Sequence, residues 1–215
     1  MILMTLNRSR KVITLVVLCV LAAVMNIFLS IFIKNFLMFP LFLDTVFTAA
    51  ITFTAGLIPG ISVAVLSVLI PGIYYKSVNF FVLCSITEVL LICAFKPPAP
   101  VIPDFAPKEK VIASYAGVAA KLMLLYIFCA IAISVLGGVI DYVSQLFLNR
   151  QPYHYSPEDT FKLGLIMNNL PVLAVSILSR IPINIVDRFI VIFGGYFISR
   201  GLAKLGKTQW PRAQW

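Results

Sequence analysis

From Val12 to Ile33 no residue carries a charge, and a run of roughly 20 apolar residues is what an α-helix needs to cross a bilayer. Such runs recur along the chain, at about Met38–Leu57, Ile61–Tyr75, Asn79–Ala94, Lys110–Leu136 and Ile183–Ile198. A backbone in hydrocarbon must satisfy its own polar groups, so helices are the natural form for these segments. The sequence therefore predicts an all-α polytopic membrane bundle of six transmembrane helices, forming one integral membrane domain over 1–215.

The balance of residues agrees. Of 215 residues, 61% are hydrophobic and 12% charged, whereas soluble domains hold about 45–50% apolar and 25% charged residues. No soluble core could hide that much apolar surface, and no separate soluble catalytic module is expected. The net charge of +9 reads as positive-inside topology signalling. The cations are scattered or sit at span edges, which argues against nucleic-acid binding. Cys19, Cys84, Cys93 and Cys129 lie in apolar stretches without metal-ligand spacing, and so read as packing residues. No cofactor is expected.

Punctuation divides the runs. Residues 1–11 form a basic N-terminus, read as cytoplasmic. The following span is too long for a signal-peptide core of 7–15 residues. Ile58-Pro59-Gly60 is expected to end the second span, and residues 95–109 to form a Pro-rich cytoplasmic loop. Gly137-Gly138 is expected to interrupt the fifth span. Residues 137–181 then form an outer cap, amphipathic over Val139–Leu148; Thr160–Ile181 is favoured as a cap or re-entrant segment, with a full span as the alternative. Residues 199–215 are a basic cytoplasmic tail. With both termini inside, the span number must be even, which favours six; the expected location is the cell membrane.

Charges inside the runs are the candidate functional groups. A carboxylate at a helix centre costs roughly 2.5–3.5 kcal/mol on insertion scales. Asp44, Asp187 and Arg188 each fall about five residues from the outer end of their spans, so one depth is expected for all three. Arg188 could neutralise one carboxylate and leave the other for a ligand, a water cluster or Arg180. Thr45, Thr48, Asn168, Asn169 and Asn184 could add hydrogen bonds to a small solute. Glu88 and Lys121, both near the midplane by count, are expected to form a structural ion pair. Cys19 with Ala23, and Gly60 with Ala64, are small-xxx-small pairs that suit close helix packing or a docking face for another membrane protein. Whether Asp44 clamps helices or faces a ligand stays open at this level.

Two pattern matches fail on mechanism. Gly201–Thr208 fits the phosphate-loop expression, but a membrane span precedes it and Trp210-Pro211 follows, where a strand and a helix are required. A lone histidine, His154, excludes the H-E-x-x-H metalloproteases. No enzyme is expected.

Pro40-Leu41-Phe42-Leu43-Asp44-Thr45-Val46-Phe47-Thr48 followed by Gly56-Leu57-Ile58-Pro59-Gly60, and Ile181-Pro182-Ile183-Asn184-Ile185-Val186-Asp187-Arg188, together resemble the second and last spans of substrate-binding S-components of energy-coupling-factor (ECF) transporters, of the LDT-motif subgroup. Arg188 stands where that family usually has lysine, and the first span offers only Cys19 and Ala23 for its docking motif. The resemblance implies a membrane-embedded subunit of an ABC-type importer that captures a vitamin or other micronutrient from outside. It implies as partners a transmembrane T-component and a pair of cytoplasmic ATPases, besides the lipid bilayer. The alternatives are a stand-alone sensor or scaffold module, or a self-sufficient channel or carrier.

Overall fold

The computed structural model describes residues 2–37, 41–74, 79–98, 107–148 and 157–205. Among them every regular element is helical: α1 (Ile2–Phe32), a π-helical turn (Ile33–Leu37), α2 (Val46–Ala55), α3 (Leu57–Tyr74), α4 (Val82–Phe95), α5 (Lys108–Leu148), α6 (Pro157–Met167), α7 (Val172–Leu178) and α8 (Arg180–Leu205). Four stretches are long and apolar enough to cross a membrane: Val12–Phe32, Leu57–Tyr74, Lys108–Phe147 and Val172–Lys204. The outward face of α1, with Val12, Ile13, Val16, Val17, Val20, Leu21 and Val24 all exposed, is far more apolar than a water-facing helix permits. A multi-pass membrane protein accounts for it.

Several expected boundaries move, each for a local reason. The second span is expected from Met38, yet α2 begins only at Val46. Residues 41–45 leave the helix because the Asp187 carboxylate takes up the backbone N–H groups of Phe42 and Leu43. At ten residues α2 is about 15 Å long, half of a hydrocarbon core. With α4 at 14 residues, the described residues hold four full-length candidate spans and two shorter apolar helices.

The turn after α2 falls at Gly56, not at Pro59-Gly60. Gly56 has φ +90°, a conformation that favours glycine. Pro59 sits in the first turn of α3, where its missing N–H was without an intrahelical partner anyway.

The Gly137-Gly138 break does not occur either. Helix α5 runs unbroken through the pair for 41 residues, about 60 Å. The glycines make notches instead. A Cβ on Gly138 would stand 2.7 Å from the Ile177 Cα, and one on Gly137 would stand 3.4 Å from Arg180 Cδ. Thr160–Ile181 resolves into α6 and α7, joined through Asn168 and Asn169. Gly201 to Leu205 continue α8, so the phosphate-loop match starts on a helix; Gly206, Lys207 and Thr208 lie outside the described residues. So do most of the Pro-rich loop and the aromatic segment around His154.

Helix α2 is the hub. Its contact with α8 is the most extensive helix pairing, and Val46 to Phe53, Phe47 apart, are buried. The core joins Val46, Ala49, Phe53, Leu125, Cys129, Val191 and Ile192. Asn26, fully buried in α1, ties three helices at one point. Its Nδ2 donates to Thr48 Oγ1 at 2.9 Å and to Ser67 Oγ at 3.2 Å, and its Oδ1 accepts the Phe47 N–H at 2.9 Å. That N–H belongs to the first turn of α2, where no intrahelical acceptor exists. Asn26→Leu strands the amide and both hydroxyls, and should lower stability by about 1–3 kcal/mol, read as an earlier thermal transition of the detergent-solubilised protein.

Candidate functional site

The ionisable groups gather at one end of the bundle. There the 41–45 segment meets the N-terminal halves of α4 and α8, and the C-terminal half of α5 meets α6 and the start of α8. Arg188 is the centre. One terminal nitrogen, Nη1, is paired with Glu88 Oε2 and also donates to Thr45 Oγ1 at 3.0 Å; the other, Nη2, is paired with Asp187 Oδ2. Thr45 Oγ1 in turn donates to Glu88 Oε2 at 3.1 Å. Asp187 Oδ1 accepts from Phe42 N at 3.1 Å and Leu43 N at 2.8 Å. Glu88 and Asp187 are 0% exposed and Arg188 4%.

A bidentate guanidinium suits this task because its planar fork can face two carboxylates at once. Buried charges survive only when paired and hydrogen-bonded, and the network pairs all three. Its second effect is on the backbone. Leu43 has φ +39°, an uncommon conformation for a residue with a branched side chain, and such strain persists where the surroundings over-determine it. The two backbone N–H hydrogen bonds to Asp187 supply that constraint. Thr45 begins α2 without a side-chain cap, since its hydroxyl serves Glu88 instead.

Asp44 stands apart from these bonds. It is partly buried, and no hydrogen bond or ion pair among the described residues engages its carboxylate. It nevertheless lies within electrostatic reach of Asp187, Arg188 and Cys84. Arg188 is thus committed to Asp187 and Glu88, and Asp44 is the carboxylate left over.

A second ionic group flanks the first. Lys162 of α6 pairs with Asp141 of α5 at 2.6 Å, and Arg180 at the start of α8 approaches the same carboxylate at 3.7 Å. The Arg180 guanidinium also stacks over the rings of Phe81 and Phe42, 4.7 and 5.8 Å from their centroids.

The remaining sequence candidates disperse. Thr45 belongs to the network, but Thr48 turns to Asn26. Asn184 donates to Ser134 Oγ of α5 at 3.0 Å, which makes it a helix-to-helix tie. Asn168 and Asn169 are exposed at the α6–α7 turn; Asn168 bonds back to the Gly164 carbonyl, and Asn169 supplies the positive φ of the turn.

The expected Glu88–Lys121 pair is absent: Glu88 is paired with Arg188, and Lys121 is exposed on α5. The depth count went astray because α4 is short. Glu88 lies near the middle counted from one end, but within two turns of Val82 counted from the other. Cys19, Ala23, Gly60 and Ala64 are all buried rather than presented outward. Cys19 and Ala23 pack with Ile51 and Val63, and Gly60 lies against Thr52 and Val89. These small residues serve close packing within the chain and do not form an exposed docking face.

Sequence reasoning missed the Glu88–Arg188 pair, the Asp141–Lys162–Arg180 group and the Asn26 hub. Asn26 left a signal, being the one amide inside an otherwise apolar span. Asp141 and Lys162 left less, because nothing local says that a cap helix will fold back onto α5.

No protein-family model, curated protein or solved structure matches the chain.

Proposed function

We propose that this chain is a membrane-embedded solute-binding subunit, of the S-component kind, that delivers a micronutrient to an ATP-driven importer. The observation that carries the reading is the break at 41–45. Irregular backbone is tolerated at membrane depth where it is buried in protein or lines a cavity. Here that segment carries Asp44, a carboxylate that no described residue neutralises by contact, beside a network that fixes its position. Intramembrane ionisable groups mark functional sites by default.

In this reading α2 and α4 complete a six-helix arrangement with the four long stretches, and α6 and α7 cap the outer end. The ionic network acts as the frame, and the Asp44 side of it as the mouth of the site. Transport energy comes from a T-component and a pair of ATPases, held at the cytoplasmic side of the cell membrane with both termini.

The test is affinity purification of the tagged chain from its native membranes under mild detergent. An ATPase pair and a T-component are expected to come down with it. Recovery of the chain without them, from cells in which it still accumulates solute, would establish a self-sufficient carrier instead.

A further inference from the structure

We infer that the lipid-facing seam between α4 and α5, at the edge of the bundle far from the ionic groups, holds an anionic phospholipid through Lys96 and Lys121. The site requires membrane insertion and does not depend on solute capture.

Its depth follows from the helices. The ionic groups mark one water edge, where Asp141 of α5 pairs with Lys162. Lys121 lies about 30 Å from Asp141 along α5, at 1.5 Å per residue, which is one hydrocarbon thickness. Lys121 therefore stands at the opposite water edge. Helix α4 spans the same interval. Its Phe81 end lies under Arg180, at the Asp141 level, and its Phe95 end stacks on Phe128 of α5, with ring centroids 5.1 Å apart. Lys96 ends α4 next to that stack.

The faces agree. Lys121 and Phe128 are two turns apart on α5, hence on one side of the helix, with Leu124 between them. Phe95, Lys96, Lys121, Leu124 and Phe128 are all exposed. The seam thus presents stacked rings to the hydrocarbon and one lysine from each helix on the water side of them. A lipid has the complementary form, with acyl chains along the rings and a charged head beyond.

The charges set the class of lipid. Among the described residues no ion pair engages Lys96 or Lys121. Asp44, Glu88, Asp141 and Asp187 gather at the far edge, and Glu109 is about 18 Å from Lys121 along α5. Lysines at a span edge extend their ammonium groups to the headgroup level, and basic pockets between spans bind anionic headgroups. A zwitterionic head satisfies one lysine with its phosphate and opposes the other with its own cation, whereas a net-negative head suits both.

The test uses the full chain, delipidated in neutral detergent and given equal amounts of phosphatidylglycerol and phosphatidylcholine with matched acyl chains. Native mass spectrometry reads the retained lipid. Phosphatidylglycerol is expected to be retained at least about fivefold over phosphatidylcholine. Lys96→Gln with Lys121→Gln should bring that ratio close to one, and Lys96→Arg with Lys121→Arg should keep it. The charge-matched control is Lys110→Gln with Lys204→Gln, two exposed cations away from the seam, and it should retain the wild-type ratio. All of these side chains are exposed, so each variant should keep the wild-type thermal transition. Glycerol 3-phosphate, the headgroup chemistry without acyl chains, should form no retained adduct. Equal retention of the two lipids by the wild-type chain overturns the inference, as does an undiminished ratio in the Gln pair or an equal loss in the control. Retention of glycerol 3-phosphate as firm as that of the lipid would make this a free-phosphate site and overturn the lipid assignment.

Discussion

Arg188→Met is expected to cost about 3–5 kcal/mol, the usual penalty for removing one partner of a buried ion pair, and to reduce the yield of folded protein sharply. The reason is geometric. Two fully buried carboxylates, Glu88 and Asp187, share this one guanidinium, and its loss leaves both without a counter-charge. Asp187 would also lose the guanidinium that holds its carboxylate in place, which weakens its hold on the Phe42 and Leu43 amides and releases the strained segment that starts α2. Arg188→Lys should recover only part of the loss, because an ammonium cannot present two separate N–H groups in a fixed fork. The measurement is the thermal transition and the monodisperse fraction on size exclusion in detergent. A Met variant as stable as wild type would show that the network is dispensable. The double change Glu88→Gln with Arg188→Met should be milder than the sum of the singles, since the two side chains share a bond.

Gly195→Ala should cost about 1–3 kcal/mol, the usual range for overpacking. The added Cβ would stand 2.7 Å from the Ala49 Cβ, 3.1 Å from the Val46 carbonyl oxygen and 3.2 Å from the Ala50 nitrogen. Two of those three atoms belong to the backbone of α2, so no rotamer change relieves the contact, and α2 and α8 must move apart. Their separation would pull Asp187 away from the amides it holds, so solute binding should weaken along with stability. Gly117→Ala in α5 is the control. Its Cβ meets nothing within 4 Å, and alanine favours a helix interior over glycine by roughly 0.5–1 kcal/mol. That variant should be neutral or slightly more stable. Equal transitions for Gly195→Ala and Gly117→Ala would refute the close-packing account.

Part of this was legible in the residues alone. Asp187 and Arg188 were flagged by their place in an apolar run, and the shared level of Asp44 and Asp187 followed from counting residues inward. The bond from Asp187 to the amides of Phe42 and Leu43 agrees with that count. Glu88 was flagged too, but with the wrong partner. A one-dimensional count places a residue along a helix and leaves its azimuth open, and azimuth decides who meets whom. Asn184 and Thr48 show the same limit: each was a fair candidate for a solute contact, and each spends its hydrogen bonds on a neighbouring helix.

The broken segments needed tertiary context for a different reason. Residues 41–45 read as the apolar continuation of a span, because their local propensity is compatible with a helix. Only a carboxylate delivered from 145 positions away along the chain to Phe42 stabilises this non-helical backbone. Gly137-Gly138 reads as a stop signal, yet α5 continues through it because Ile177 and Arg180 fill the notches the glycines leave.

The sequence by itself determined the solvent, the class of structure and the identity of the buried charges, since run length and apolar content leave a bilayer protein little choice but helices. The tertiary structure decided which carboxylates Arg188 neutralises, where the second span gives up its helix, and that Asp44 has no hydrogen bond or ion pair among the described residues. Pairing between helices depends on their rotation and approach, and those are fixed by packing on every side at once.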